Sequence, residues 1–261
     1  MIQDGGCQVR CARLTGDVHC AGAAWSQLMD VQRLDVEDAS DDIMTSFSRH
    51  APQLTSLQAL SVTWTPMKQV PGSWSHCLLP RLVALSLTRD QLRSVDALDG
   101  GGSCGRLETL DVSHNLLDTL PRHFAHSMSR LTTLVLTGNA LRSLPDGLGQ
   151  MMRLRSLECA SNKLTKLPAS IGDLSELAVL DVSANNLTVL PDSIGQLGSL
   201  KHLRASANRL TTVYNRLPRI TVLYRHLEHC PNSVQKHRAL IDVNFSDFIL
   251  WVQLRTFTPV S

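Results

Sequence analysis

The sequence predicts an α/β solenoid, a right-handed coil of short stacked units with a parallel β-sheet on its concave side. Three observations predict this fold. A motif of regularly spaced leucines returns every 23 to 25 residues, and each copy alternates apolar and polar residues with the period of a β-strand. In addition, the 261-residue chain is 43% hydrophobic but only 4% aromatic, so its core must consist mainly of aliphatic side chains.

The repeat is most regular in residues 107–213, which hold five consecutive copies. Its framework falls at positions 1, 4, 6, 9, 11 and 14, which the first of these copies fills with Leu107, Leu110, Val112, Asn115, Leu117 and Leu120. The following copies begin at Leu131, Leu154, Leu177 and Leu200. This regularity makes the repeat a strong signal, since it does not depend on a single short match.

Looser copies precede the regular ones. Two of them begin at Leu57 and Leu82, which brings the array to about seven repeats. A still fainter frame lies further upstream, at Val31, Leu34, Val36 and Ala39.

The alternation inside each copy predicts a short strand. Leu110 and Val112 are expected to face the core, whereas Thr109, Asp111 and Ser113 are expected to point outward. The Asn at position 9 is expected to turn the chain and to bond main-chain groups of adjacent units, which gives an asparagine ladder. Because a single unit cannot enclose its own leucines, neighbouring units must stack.

Residues 177–200 match the pattern LxxLxLxxNxLxxLPxxIGxL almost throughout. This pattern resembles the intracellular leucine-rich-repeat (LRR) class, and the resemblance covers about residues 54–213. It implies a right-handed horseshoe with the sheet on its concave face. Similar units occur in scaffolds that bind Ras-family GTPases, in phosphatase-regulating subunits and in the repeat regions of Roco-type kinases. The resemblance therefore implies protein binding, without identifying the partner.

Three segments are predicted. Residues 1–53 form an N-terminal flank or cap that is partly helical, with helix-like stretches at 25–31 and around Ile43, Met44 and Phe47. Residues 54–213 hold the repeats. Residues 214–261 form a C-terminal flank, in which Ile220 and Leu223 suggest an eighth, degenerate unit. The apolar stretch 245–254 suits a terminal cap, a partner-binding segment or non-native sequence from a wrong gene boundary.

Positions 3, 5, 7 and 8 of each copy point outward from the predicted sheet, and most of them are small and polar. In the family that the repeat resembles, these positions form the usual binding surface. The larger side chains among them are the candidate partner-binding residues: Trp64, Arg89, Asp111, His114, Glu158, Asp181, His202 and Arg204. Trp and Arg are enriched at interaction hot spots. The alternative is that each is an ordinary solvated residue on a sheet surface.

Other motifs give weaker signals. The glycine-rich segment 100–105 lacks the Lys-Ser/Thr ending of a phosphate-binding loop and is interpreted as an inserted loop. The histidines and cysteine at 226, 229, 230 and 237 match no zinc spacing. His123 and His126 lie near Ser127, and these residue types would suit a base and a nucleophile. Because they lie on a return segment, we do not interpret them as catalytic. We therefore expect no catalytic residue, no metal, no cofactor and no enzyme activity.

Composition bears on location and partner class. The net charge of +2 favours neither nucleic acid nor an anionic membrane, and the longest apolar run, 248–252, is too short to span a bilayer. The seven cysteines show no paired spacing and are interpreted as reduced thiols. With no secretory signal visible, a cytoplasmic protein is predicted.

The leading hypothesis is a cytoplasmic scaffold or adaptor that binds a protein through its concave face in intracellular signalling, with a small GTPase, a phosphatase or a kinase as partner. The alternative is the substrate-recognition or regulatory portion of a larger signalling enzyme, such as a Roco-type kinase, a phosphatase complex or a ubiquitin ligase. A third hypothesis, an extracellular recognition module, predicts glycosylation at the sequon of Asn186.

Overall fold

The computed structural model describes residues 11–15, 28–71, 81–99 and 106–211, and the backbone of three further strands within 221–253. In this part of the chain, twelve β-strands form one sheet. The first ten strands pair in parallel and in chain order, which confirms the predicted solenoid with its parallel sheet. The last two pair antiparallel.

The strands are short because only positions 3 to 7 of each unit are extended. In chain order they are β1 (Cys11–Thr15), β2 (Arg33–Glu37), β3 (Ala59–Thr63), β4 (Ala84–Thr88), β5 (Thr109–Asp111), β6 (Thr133–Val135), β7 (Ser156–Glu158), β8 (Val179–Asp181), β9 (His202–Arg204), β10 (Thr221–Tyr224), β11 (Ile241–Asn244) and β12 (Ile249–Gln253). β12 lies between β10 and β11 in the sheet.

Strands β2 to β9 share one register, so equal positions of the repeat stand side by side across the sheet. The leucines of position 4 thereby form one buried row: Leu34, Leu60, Leu85, Leu110, Leu134, Leu157, Leu180 and Leu203. Val112 is buried as expected. Ser113 differs from the expectation, because it is buried as well, and its backbone N–H donates to Oδ1 of Asp111 at 2.9 Å.

The predicted asparagine ladder is present. Asn139 shows the arrangement: its Nδ2 donates to the carbonyls of Val112 and Leu136, each at 3.0 Å, and its Oδ1 accepts the N–H of Leu117 at 3.1 Å. The same pattern recurs at Asn162, with the carbonyl of Leu136 2.9 Å away. Each amide thus joins its own repeat to the preceding one and satisfies backbone groups that would otherwise be buried and unpaired.

The return segments are short helices on the other side of the core. They comprise α1 (Asp41–His50), α2 (Phe124–Ser127) and 3-10 helices at Ala51–Gln53, Asp96–Asp99, Asp146–Gln150, Ala169–Asp173 and Asp192–Gln196. Ile171 with Leu174, and Ile194 with Leu197, are buried and close the core from this side. A Cβ on Gly172 would lie 2.5 Å from the carbonyl oxygen of Ser193, so this glycine is required by the close approach of the next repeat.

The sheet begins before residue 54. The faint frame at residues 31–39 forms β2, and α1 is its return segment, with Ile43, Met44 and Phe47 buried as the helical prediction requires. Of the other predicted helix, residues 28–30 form a turn, and 25–27 lie outside the described residues. The division into flank, array and tail stays a prediction.

In the C-terminal flank, strand β10 is shifted by one residue from the predicted repeat frame. β10 pairs with β9 so that Val222, and not Leu223, stands opposite Leu203. A shift of one residue exchanges the two faces of a strand. The frame that begins at Ile220, as the sequence suggested, is therefore wrong by one position.

Candidate binding surface

The outward residues at positions 3, 5, 7 and 8 of the repeats form one continuous surface, which we call the strand face. Because the register is constant, position 5 gives a single row across the sheet: Asp35, Ser61, Ser86, Asp111, Val135, Glu158, Asp181 and Arg204. Neighbouring members of such a row lie about 4.8 Å apart. Residues far apart in sequence therefore come within reach of one short ligand.

Three of the four carboxylates of this row, Asp111, Glu158 and Asp181, are predicted site residues, and all are half-buried. The Oδ1 of Asp181 accepts from the N–H and the hydroxyl of Ser183, at 3.0 and 2.6 Å. Glu158 accepts only a 3.3 Å bond from the hydroxyl of Ser156. Since Glu158 and Asp181 are direct partners on adjacent strands, like charges face each other there, which favours a cationic ligand.

Arg204 and His202 lie at the far end of the described surface. The Nη1 of Arg204 is 3.5 Å from Oδ2 of Asp181, and the Arg204 side chain is 49% exposed, so this pair contributes at most about 1 kcal/mol. His202 stands beside Val179 at position 3 and is exposed. Of the predicted site residues, His202 is thus the one that lies apart from the position-5 and position-8 rows.

Position 8 has an unexpected backbone conformation. In every described repeat from β2 to β9 its φ angle is positive: Asp38 52°, Trp64 60°, Arg89 63°, His114 57°, Gly138 71°, Ser161 55°, Ala184 51° and Ala207 53°. This left-handed conformation is uncommon for residues other than glycine. From Asp38 to Ala184 it is held by hydrogen bonds between repeats, since the position-8 N–H donates to the position-7 carbonyl of the next unit.

The position-8 row carries three predicted site residues on adjacent repeats. Trp64 is 59% exposed, and the guanidinium carbon of Arg89 lies 4.7 Å from the centroid of its ring, a cation–π contact. His114 lies over Gly138, where an added Cβ would be 2.7 Å from its Nδ1. Beyond Gly138 the row contains only Ser and Ala, so its large side chains are confined to the N-terminal half.

Sequence reasoning missed part of this surface. β1 and β2 extend it by two strands, with Asp35 at position 5 and an ion pair between Arg13 and Glu37 at 3.9 Å. The faint frame at residues 31–39 was the available signal. This frame is hard to recognise, because Asp38 and Ala39 stand where a regular unit has its turn residue and its Asn.

The described residues form no catalytic or metal-binding group of the kinds considered. Ser127 is buried, and its hydroxyl donates to Oδ1 of Asp99 at 2.9 Å instead of meeting His123 or His126. Groups of three or more potential metal ligands are absent from the described ranges, and the histidines at 226, 229 and 237 lie outside them. No helix in these ranges is long and apolar enough to cross a membrane.

The cysteines within the described ranges are free thiols. Cys159 fills position 6 and is fully buried, and burial, with Asp181 and Glu158 nearby, raises the pKa of its thiol. A thiol of this kind is an inert part of the core. Cys11 is half-buried and also free.

Among solved structures, one similar fold is an LRR protein of Leptospira interrogans, with 24% identity, a TM-score of 0.60, and coverage of 87% of this chain and 70% of that one. Another is the LRR ectodomain of the plant membrane receptor kinase GASSHO1/SCHENGEN3 from Arabidopsis thaliana, solved with CASPARIAN STRIP INTEGRITY FACTOR 2. It has 22% identity and a TM-score of 0.62, and the match covers 83% of this chain and 26% of that one. A third is the Toll–Spatzle complex of Drosophila, with 19% identity, a TM-score of 0.59, and coverage of 77% of this chain and 30% of that one. The chain thus spans less than a third of the Arabidopsis and Drosophila proteins.

Two family models match the sequence. One, described as a leucine rich repeat, matches residues 105–164, and the other, described as a leucine-rich repeat region, matches residues 146–242. Curated proteins gave no match. Together the two models span more than half of the chain, and the repeat, the ladder and the parallel sheet agree with them. The chain belongs to the leucine-rich-repeat family.

Proposed function

We propose that this chain is a protein-interaction scaffold that binds a protein partner through its strand face. LRR folds generally mediate protein–protein interaction, and LRR families are generally not catalytic. The observation that carries the proposal is the distribution of large side chains on the strand face. In repeats β3 to β9, an exposed aromatic–cation pair, Trp64 with Arg89, and the carboxylates of Asp111, Glu158 and Asp181 stand on a surface whose other residues are mostly small and polar.

Two similar structures support a ligand of this kind, since the Arabidopsis ectodomain was solved with CASPARIAN STRIP INTEGRITY FACTOR 2 and Toll with Spatzle. We place the interaction in intracellular signalling in the cytoplasm, with a small GTPase, a phosphatase or a kinase as partner class. The repeat pattern of residues 177–200 and the free thiols of Cys11 and Cys159 support this location.

Charge reversal at Glu158 tests the proposal. Glu158 is the best target of the three carboxylates because Asp111 and Asp181 accept bonds from backbone N–H groups, whose loss would also disturb the local fold. The full chain is used to purify a partner, and the affinity of that partner is then measured by titration. Glu158→Lys is expected to weaken binding at least about fivefold, since a charge pair at an exposed interface contributes on the order of 1 kcal/mol.

Asp192→Lys is the matched control. Asp192 is another acidic residue, but it is exposed and lies at the start of a return-segment helix on the opposite side of the core. The control is expected to bind as the wild type does. Weakened binding by Asp192→Lys together with unchanged binding by Glu158→Lys would place the partner on the return side and contradict the proposal.

A further inference from the structure

We propose that Arg89 binds a carboxylate side chain of the partner, and that the partner segment is extended and carries, about four or six positions away on the same face, a basic residue that reaches Glu158. This inference rests on the proposed function, because it specifies the partner chemistry of the strand face. It assigns the surface around Arg89 to an anion and the surface around Glu158 to a cation.

Arg89 has a fixed position and, among the described residues, no acidic partner. Its guanidinium lies against the ring of Trp64, in the preceding repeat, at 4.7 Å from the centroid. By contrast, two other arginines of the strand face, Arg13 and Arg204, have carboxylate oxygens at 3.9 and 3.5 Å. Asp111, on the next strand, directs its carboxylate to the N–H of Ser113. The charge of Arg89 is therefore free to meet a ligand.

The backbone beneath this pair is fixed as well. The N–H of Trp64 donates to the carbonyl of Thr88, and that of Arg89 donates to the carbonyl of Ser113, both at 3.3 Å. These bonds hold both residues in the left-handed conformation. A side chain whose backbone and stacking partner are already in place loses little conformational entropy when it binds, so Arg89 is preorganised.

A guanidinium that stacks on an indole through its flat face keeps the N–H groups of its edge available. Those donors form a fork that matches the two oxygens of a carboxylate. Phosphate has the same fit, but the strand face also carries Asp111, Glu158 and Asp181, which would repel a polyanion such as nucleic acid or an anionic membrane. A ligand that satisfies both halves has both charges, as a mixed-charge peptide segment does.

The spacing follows from the sheet. Arg89 follows β4 and Glu158 lies in β7, so three strand spacings separate them, about 14 Å, together with about 10 Å along the strand direction. The separation is thus roughly 17 Å, which an extended peptide covers in about five residues. Because successive side chains of an extended peptide point to opposite faces, the two charged residues share a face only at an even spacing of about four or six positions. An acidic and a basic residue placed closer together or much farther apart in the peptide would leave either Arg89 or Glu158 unpaired.

Peptide selection tests the inference directly. Random peptides of about twelve residues, long enough to contain the spacing, are displayed on phage and selected on the full chain. Enriched sequences are expected to carry Asp or Glu about four or six positions from Lys or Arg, in one of the two orders. For a selected peptide, Arg89→Gln is expected to weaken binding about fivefold or more, and Arg89→Lys to weaken it less, because Lys keeps the charge but loses the fork.

Two further variants make the outcomes distinguishable. Arg89→Glu should restore binding to a peptide whose acidic residue is changed to Lys. Arg142 is an exposed arginine outside positions 3, 5, 7 and 8, so Arg142→Gln should leave peptide binding unchanged. Peptides that lose affinity with Glu158→Lys but not with Arg89→Gln would overturn this inference and leave the proposed function standing. Selected peptides that respond to neither variant, or a selection that enriches no sequence, would count against both.

Discussion

Asp90 occupies the ladder position that Asn fills in the five later repeats. Its Oδ1 accepts the N–H and the hydroxyl of Thr65, at 2.8 and 2.9 Å, but its Oδ2 is buried and has no hydrogen-bond partner. In Asn115 the corresponding atom is Nδ2, which donates to the carbonyl of Leu87 at 2.7 Å. A carboxylate oxygen cannot make that bond, because it has no hydrogen to donate. The ladder is therefore incomplete at Asp90.

Burial raises the pKa of Asp90 from 3.8 to about 6, while the bonds from Thr65 oppose the rise. The folded state therefore favours the protonated carboxyl. Its contribution to stability is fully present below about pH 4 and is lost as the pH rises through about 6. The difference corresponds to up to about 3 kcal/mol in the free energy of unfolding at pH 7.

Asp90→Asn is accordingly expected to stabilise the chain at pH 7 and to have little effect at pH 4. Urea unfolding of both proteins at the two pH values measures this difference. Asn115→Asp is the mirror control and should destabilise the chain more at pH 7 than at pH 4. A gain from Asp90→Asn that is equal at both pH values would show that the Asp90 carboxyl does not titrate between them.

The left-handed residues show that side-chain size and backbone conformation are set separately in this fold. Trp64 and Arg89 adopt a conformation that glycine adopts most easily, since the hydrogen bond from each N–H to the next repeat holds it there. Their side chains project from the sheet edge in parallel, which permits contact between residues 25 positions apart. Position 8 therefore accommodates side chains as large as Trp64 and Arg89 within the same repeat backbone.

At the scale of single elements, the return segments are set by how closely neighbouring units approach. Gly149 and Gly172 hold equivalent places in successive 3-10 helices, and a Cβ on either would lie 2.5 Å from a carbonyl oxygen of the next helix. That distance is shorter than any tolerated contact between these atoms. The glycine after Ile in the pattern is thus a packing requirement between elements.

Gly172→Ala is expected to lower the free energy of unfolding by about 1 to 3 kcal/mol, as overpacking of a close-packed interior does. The next helix must move away to admit the methyl group. Gly198→Ala is the matched control, because no atom lies within 4 Å of the added Cβ, and it should change stability little. Thermal and urea unfolding measure both variants. Equal losses would mean that backbone freedom, and not the contact with Ser193, decides the effect.

Across the whole molecule, the sequence was sufficient to predict those structural features that a single repeat unit determines by itself. The buried row at position 4, the Asn ladder and the helical return around Phe47 follow from apolar spacing and hydrogen-bonding capacity, which can be recognised within a single copy. The same reasoning placed Thr109 and Asp111 correctly, because a strand has only two faces, but it was wrong at Ser113, which is buried.

Features that depend on contacts between units were not predictable in this way. The left-handed backbone at position 8 comes from hydrogen bonds to the next repeat, and the contact of Arg89 with Trp64 comes from stacking. The first strands were underestimated because residues 31–39 lack the Asn signal, and the register of β10 differs by one residue because nothing in a fading repeat marks it. The identity of the partner depends on the surface of a second molecule as well as on this one.

Site-specific photo-crosslinking determines whether the partner lies on the strand face. A photoreactive amino acid is placed at Ser86, in the position-5 row between Trp64 and Glu158, or at Gln150, exposed on a return segment. The full chain is then illuminated with its purified partner. A covalent adduct from Ser86 and none from Gln150 is the predicted result. An adduct from Gln150 and none from Ser86 would contradict the account.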